Sequence, residues 1–275
     1  MSTSPSGDPS SAILPASRRA EVAAVVAKSG ELSVAALATR FGVSQDTIRR
    51  DLDELHESGA VIRTYGGAMS PERMPKVEPG FDIRTRLNSQ EKDSIGALAA
   101  GLVHESTSLF MNSGTTALAV ARNFRPGLGL RIITNSLLLP STVNPEAISE
   151  IYVVGGLVRL HAQGTTGPVT SGLGVENGEQ FDPHSDLAII GVSGVSSDRG
   201  FLTTNVQEAK LAREMIDRSE TVIVVADASK FGQTAFAHIA GLESADILVT
   251  DAAPPADLQK ALTSAGVRVV RPDDQ

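Results

Sequence analysis

Between Phe41 and Ala68 the apolar positions follow a helical and then a strand-like period. Ile48, Leu52 and Leu55 recur at i, i+4 and i+7, one face of a helix. Ser44, just ahead of it, is a good N-cap. With Ile48 at zero on a wheel of about 100° per residue, Arg49 falls at about 100° and Arg50 at about 200°. Arg50 therefore points away from the apolar stripe, Arg49 flanks it, and Asp46 and Thr47 also lie off it. Gly59 is expected to stop this helix. Ala60-Val61-Ile62-Arg63-Thr64-Tyr65 follows as a wing strand turning at Gly66-Gly67. Upstream, 16–29 forms a helix with Val22, Val25 and Val26 on one side and Gly30 as its stop. Leu32-Ser33 leads into a second helix, 34–41, with Leu37 and Phe41 at i, i+4, and Gly42 makes the turn. Three helices and a wing are the winged helix-turn-helix plan. A last helix that packs on one side and offers arginines and a hydroxyl on the other suits a DNA major groove.

Beyond residue 70 the pattern changes. Residues 70–82, with three prolines and a glycine, have a linker composition. A helical run over 86–104 buries Ile95, Leu98 and Leu102. Short apolar runs then predict strands at 108–111, 131–134, 151–154, 187–190, 221–225 and 247–250, with helices between them, including 117–123 and 206–219. Strands alternating with helices predict a mostly parallel α/β sheet covered on both faces. The expected organisation is a disordered Ser/Pro tail over 1–15, a winged helix-turn-helix domain over 16–69, a linker over 70–82 and an effector-binding and oligomerisation domain over 83–275. The last residues, Asp273-Asp274-Gln275, are expected to fray.

Charge at first argues against a polyanionic partner. The net charge is −8, and residues 1–68 hold seven basic against eight acidic side chains, a net of −1 that leaves −7 beyond them. DNA binding then rests on local arginine placement rather than a broad basic field, with modest non-specific affinity and a steep salt dependence. The N-terminus lacks the basic and apolar regions of a secretory signal, and no run of about 18 apolar residues offers a membrane span. Zero cysteines exclude disulfides and thiolate metal sites and are compatible with a cytoplasmic protein.

Candidate chemistry collects at the ends of the predicted strands. Asn112-Ser113-Gly114-Thr115-Thr116 follows one strand and opens a helix, where free N–H groups and the helix dipole attract an anion. The pentapeptide alone suits a Ser/Thr helix cap equally well. It lacks the P-loop spacing. Thr134-Asn135 and Gly155-Gly156 end the next two strands, Asp186 begins another that finishes at Gly191, and Lys230 follows a fourth. Polar residues and glycines at successive strand ends converge on one crevice, with Lys230 as the cation for a phosphorylated or carboxylated ligand. The five histidines show no metal-ligand spacing, and there is no nucleophile elbow, so neither a metal nor a catalytic set is assigned.

From Arg18 to Asp251 the chain resembles the DeoR-type bacterial transcriptional regulators. In the first domain the resemblance rests on Leu37-Ala38, Phe41, Val43-Ser44, 47–52, Leu55, Gly59, Arg63 and 66–68. In the second it rests on Arg84, Glu91-Lys92, 113–116, 134–136, Gly155-Gly156, Asp186, Gly191, Glu208-Ala209, Ser229-Lys230 and Thr250-Asp251. It implies a C-terminal domain related to ribose-5-phosphate isomerases and glucosamine-phosphate deaminases. It also implies a cytoplasmic, cofactor-free homo-oligomer, dimer or tetramer, that represses a sugar-catabolic operon and leaves double-stranded operator DNA on binding a sugar phosphate. Expected DNA contacts are Ser44, Gln45, Asp46, Thr47, Arg49, Arg50, Arg63 and Tyr65. Expected effector contacts are Asn112, Ser113, Gly114, Thr115, Thr116, Thr134, Asn135, Gly155, Gly156, Asp186 and Lys230. Two positions depart from the family pattern: Asn112 stands where an aspartate is usual, and Ala212 replaces a family lysine. A phosphosugar isomerase carrying a DNA-binding module and a constitutive architectural DNA binder are the competing readings.

Overall fold

The computed structural model describes residues 15–29, 31–57, 60–64, 66–69, 80–170, 175–176, 179–180 and 182–274. The chain divides into two compact units, Met1–Val77 and Glu78–Gln275. Residues 1–14 of the expected tail, the stops at Gly30 and Gly59, the wing residue Tyr65 and most of the expected linker lie outside the described residues, while Pro15, expected in the tail, opens the first helix.

The first unit runs α1 (Pro15–Ser29), β1 (Glu31–Ser33), α2 (Val34–Phe41), α3 (Gln45–Glu57), β2 (Ile62–Thr64) and β3 (Gly67–Met69). Ser33 caps α2, its hydroxyl accepting the Ala36 N–H at 3.1 Å. Gly42 closes α2 in the left-handed region, φ 63°, and the Val43 N–H returns to the Ala38 carbonyl. Val22, Val26, Leu37, Ile48, Leu52, Leu55 and Val61 form the core. The wing departs from expectation. Leu32-Ser33 is a strand rather than a connector, and β1 pairs antiparallel with β3 in a sheet ordered β1-β3-β2. Gly67 belongs to β3 instead of the turn. A Cβ there would meet the Leu32 carbonyl at 2.1 Å, so the close approach of β1 requires glycine.

The second unit begins with α4 (Phe81–Arg86) and α5 (Ser89–Ala100), so the helix expected over 86–104 is the shorter α5, preceded by a separate helix that makes 81–82 helical rather than linker. β4 (Ser108–Met111), α6 (Thr115–Arg122), β5 (Leu130–Thr134), α7 (Leu139–Thr142) and β6 (Ile148–Val153) follow. Next come the short strands β7 (Leu157–Arg159), β8 (Gly164–Thr166), β9 (Val175–Glu176) and β10 (Glu179–Gln180). The chain continues with β11 (Ser185–Gly191), β12 (Gly194–Ser196), β13 (Gly200–Thr203), α8 (Val206–Asp217), β14 (Ser219–Val225), β15 (Ala237–Ala240), β16 (Ile247–Val249), α9 (Ala256–Ser264) and β17 (Arg268–Val270). Seven of these strands form one sheet, ordered β17-β16-β14-β11-β4-β5-β6, and every pairing in it is parallel. Side chains alternate between two cores. Ala188 and Ile190 join α8 and α9 on one face, and Leu187 and Ile189 join α5 and α6 on the other. Asp273 and Asp274 lie in a short turn where Arg271 pairs with Asp274 at 2.7 Å.

The strand order carries a consequence. The chain winds from β4 outward through β5 to β6, then returns to β11 on the other side of β4 and winds the opposite way. The switch point lies between the carboxyl ends of β4 and β11, where open α/β sheets form a ligand crevice.

In the first unit, one buried ion pair ties α1 to α3. The Arg18 guanidinium grips the Asp51 carboxylate at both oxygens, at 2.6 and 3.1 Å, and Asp51 is buried. Removing Asp51 leaves the partly exposed Arg18 guanidinium without its partner. Asp51→Ala is expected to destabilise the first unit by about 1–3 kcal/mol. Asp53→Ala, which breaks the pair between the exposed Asp53 and the half-buried Arg63, should cost about 1 kcal/mol. Urea denaturation of both variants checks the difference.

Candidate functional site

Two surfaces carry candidate chemistry, one on each unit. On the first, the Ser44 hydroxyl accepts the Thr47 N–H at 3.1 Å and meets the Thr47 hydroxyl at 2.9 Å, so both hydroxyls are engaged in capping α3. Arg49 folds back on its own helix, bonding Asp46 at 2.5 Å and reaching Gln45 at 3.5 Å. Arg50 is exposed and has no hydrogen-bond or ion-pair partner among the described residues. Arg63, expected as a wing contact, is held by Asp53 of α3 at 3.0 Å, with its Nη1 buried. The outer face of α3 thus presents one uncommitted guanidinium, flanked by side chains that hold one another.

The second surface is the crevice at the switch point. Asn112 closes its floor. Its amide nitrogen donates to the Gly191 carbonyl at 2.8 Å, and its oxygen accepts the Gly191 N–H at 2.7 Å. This two-point clasp joins the ends of β4 and β11 and consumes the amide. Asn135 is buried and holds the next loop: its oxygen accepts the Ser113 N–H at 2.7 Å, and its nitrogen donates to the Thr165 carbonyl at 2.8 Å. The Thr134 hydroxyl donates to the Met111 carbonyl at 2.7 Å, locking β5 to β4. Gly164 lies against Ser113, where a Cβ would meet the Ser113 hydroxyl at 2.7 Å. Gly155, with φ 96°, packs on Thr165. Asn112, Thr134, Asn135 and Gly155 therefore shape the crevice.

The loop they hold is open. Gly114 stands at the start of α6 in extended backbone, with no side-chain cap on the helix, so the capping alternative for this pentapeptide is not what forms. A Cβ at Gly114 or at Gly156 would meet nothing within 4 Å. Lys230 ends the short turn after β14. β14 lies two strands from β4 in the sheet order.

Asp186 is a correction. Its carboxylate accepts the N–H and hydroxyl of Ser108 at 2.8 and 2.7 Å, which holds its pKa below the usual carboxylate value. Ser108 and Asp186 lie at the amino ends of parallel strands, and five residues separate Asp186 from the crevice end of β11, about 17 Å. Because parallel strands put only their carboxyl ends on one edge, an aspartate that starts a strand falls on the far side of the sheet.

The structure also brings in residues that sequence reasoning left without a role. Lys92 is buried in α5, and its ammonium donates to the carbonyls of Arg84 and Leu87, both at 2.5 Å, at the end of α4. Burial lowers its pKa below the usual lysine value, Asp227 opposes that, and Lys230 adds to it. Asp227 is buried after β14; one oxygen accepts from Asn88 at 3.0 Å and from Ser229, and the other has no hydrogen-bond partner among the described residues. The signal for Lys92 was present: it lies three residues before buried Ile95, on the apolar stripe of its helix. Arg159 and Glu208 pair between β7 and α8, a contact that their separation in sequence concealed.

Comparison with known proteins agrees with the two-part architecture. The profile of the DeoR-like helix-turn-helix domain matches residues 18–74, and that of the DeoR C terminal sensor domain matches residues 87–252. The glycerol-3-phosphate regulon repressor of Escherichia coli strain K12 is 32% identical over 245 residues, covering 89% of this chain and 94% of that one. The HTH-type transcriptional repressor GlcR of Bacillus subtilis is 33% identical over 234 residues, 85% of this chain and 87% of that one. Ribose 5-phosphate isomerase A of Methanocaldococcus jannaschii aligns over 52% of this chain and 55% of that one, at 15% identity and a TM-score of 0.35. The chain belongs to the DeoR family.

Asn112 makes a bond that a carboxylate cannot make, because donation to the Gly191 carbonyl needs the amide N–H. Asn112→Asp is expected to leave that carbonyl facing an anionic oxygen and to cost about 1–3 kcal/mol. A lowered melting temperature at neutral pH, partly restored where the new carboxyl is protonated, is the expected readout.

Proposed function

We propose that this DeoR-family chain is a cytoplasmic DNA-binding regulator that represses a carbohydrate catabolic operon and is released from its operator by a sugar phosphate. The observation that carries the reading is the pairing of two surfaces on one chain. One is a capped helix whose outward arginine, Arg50, has no internal partner among the described residues. The other is an uncapped, glycine-opened helix start at the sheet's switch point. The named relatives are repressors, one of them of a glycerol-3-phosphate regulon, which favours a phosphorylated effector here.

In this reading α3 enters the major groove, Arg50 contacts a base edge, and Arg49, Gln45 and Thr47 adjust around it once DNA competes for their mutual bonds. Ser113, Gly114, Thr115 and Thr116 hold the phosphate, and Lys230 supplies the compact charge. Lys92 and Asp227 link the Lys230 turn to the end of α4, the first helix of the sensor unit. An anion engaging Lys230 alters the field at Lys92 and so the hold on α4. Release requires the effector to favour the DNA-free state, since equal affinity for both states shifts nothing. One head contacts few bases, so the chain acts as a homo-oligomer, dimer or tetramer, on repeated half-sites. The test is selection of bound fragments from the source genome, followed by release with a panel of sugar phosphates and the matching free sugars. Release by the free sugars alone would overturn the effector assignment.

Arg50→Ala is expected to weaken operator binding by about 1–3 kcal/mol with an unchanged melting temperature, as read by gel shift and thermal denaturation.

Gly114→Val places its side chain in open space on backbone that any residue adopts, so stability should change by no more than about 0.5 kcal/mol. Its operator affinity should stay normal while release by effector is lost. Lys230→Ala should weaken release more than operator binding. Calorimetry against the phosphosugar panel reads both effects directly.

A further inference from the structure

The loop 112–116 contains no charged residue, while a phosphate monoester carries about 1.5–2 negative charges at neutral pH. In the proposed reading Lys230 brings one cation from the β14 side. The other flank of the loop is the hairpin β7–β8, which continues from the end of β5. Gly164 bridges Ser136 and lies against Ser113, and the Thr165 N–H donates to the Asn135 carbonyl at 2.8 Å. Arg159 stands opposite Gly164 in the hairpin register, which sets it beside the loop. Its guanidinium pairs with Glu208 in the first turn of α8, and the second Glu208 oxygen takes the Thr203 hydroxyl at 3.4 Å. α8 packs on the sheet face opposite α6, so this ion pair joins the hairpin to the wall of the crevice that faces the loop. The two side chains are 29% and 16% exposed, open enough for a ligand to reach and too dry for either to be left alone.

We infer that the Arg159–Glu208 pair determines which ligands the crevice accepts, opening to a molecule that carries both a phosphate and hydroxyl groups. The phosphate takes Arg159, whose planar fork matches two phosphate oxygens. A hydroxyl of the same molecule donates to the Glu208 carboxylate in place of the guanidinium. Either half alone is a poor substitute. Inorganic phosphate satisfies Arg159 but leaves Glu208 facing a second anion. An unphosphorylated sugar gives Glu208 a neutral donor and offers Arg159 no charge, so the ion pair stays closed. The inference rests on the reading that this crevice takes a phosphorylated effector, and it assigns the rejection of free phosphate to Glu208.

The test is calorimetry of the full chain without DNA, with thermal denaturation to verify folding. The titrants are inorganic phosphate, glycerol 3-phosphate, ribose 5-phosphate and glucose 6-phosphate. Glu208→Gln keeps the shape of the side chain and removes the competing charge, so it should bind inorganic phosphate about tenfold more tightly than wild type. The double variant Arg159→Gln, Glu208→Gln should lose that gain. Any phosphosugar that wild type prefers over inorganic phosphate should keep less of that preference in Glu208→Gln. A purely structural ion pair would lower the melting temperature of the variants and leave phosphate affinity where it was. That result, a Glu208→Gln variant that binds no phosphate, or a gain that survives in the double variant overturns the inference. Operator release is measured separately: the expected phosphate pattern without release by any phosphosugar overturns the functional reading and leaves the role of the ion pair standing.

Discussion

The constraint on which the sensor unit depends is the reversal of winding between β4 and β11. Two strands that meet there without a direct chain connection leave a gap at their carboxyl ends. Asn112 spans it by giving one hydrogen bond to Gly191 and taking one back. Everything that forms the crevice is placed relative to that clasp. Asn135 then fixes Ser113, Thr134 fixes Met111, and the loop that opens α6 is left with free backbone and no side-chain cap. The site is thus a region where the surrounding hydrogen bonds are complete and one helix start is deliberately incomplete, which is the condition for taking up an anion.

The same logic governs the DNA-binding unit at smaller scale. Ten buried apolar residues make up its core among the described residues, and a module of that size has little margin. The buried Arg18–Asp51 pair fixes the angle between α1 and α3, and Ser33, Ser44 and Gly42 fix where each helix begins or ends. With those positions set, the outer face of α3 is free of structural duty. Arg49 and Asp46 satisfy each other, and Arg50 is left over. A side chain with five donors and no internal partner among the described residues is an unspent recognition group.

Lys92 shows how the two kinds of constraint meet within the sensor unit. It is a buried cation used as a helix cap: it takes the carbonyls at the end of α4, and Asp227, beside the Lys230 turn, balances its charge. Buried charges of this kind are sensitive to new charge nearby because little water screens them. In the proposed reading, an effector anion at Lys230 would act on a group already held against its own tendency to lose its proton.

Periodicity and punctuation in the sequence determined the two-part architecture. Ile48, Leu52 and Leu55 placed α3 and its buried side, the apolar runs placed six of the seven strands of the large sheet, and their alternation with helices made that sheet parallel. Those features are local, and local sterics and burial suffice to set them. The loop 112–116 was visible as a strand-to-helix turn, but the sequence could not decide between cap and ligand site, because both use the same residue types. The structure shows that no side chain caps α6, and the loop's surroundings are set by contacts across long separations: Asn112 with Gly191 and Asn135 with Thr165. Asp186 was misplaced for the same reason. A residue beside a strand declares its neighbourhood only when the strand's direction and partners are known, and Ser108 claims it at the opposite edge. β1 and β17 were missed because Glu31-Leu32-Ser33 and Arg268-Val269-Val270 lack the continuous apolar run that marked the equally short β16; each becomes a strand by lying against β3 or β16.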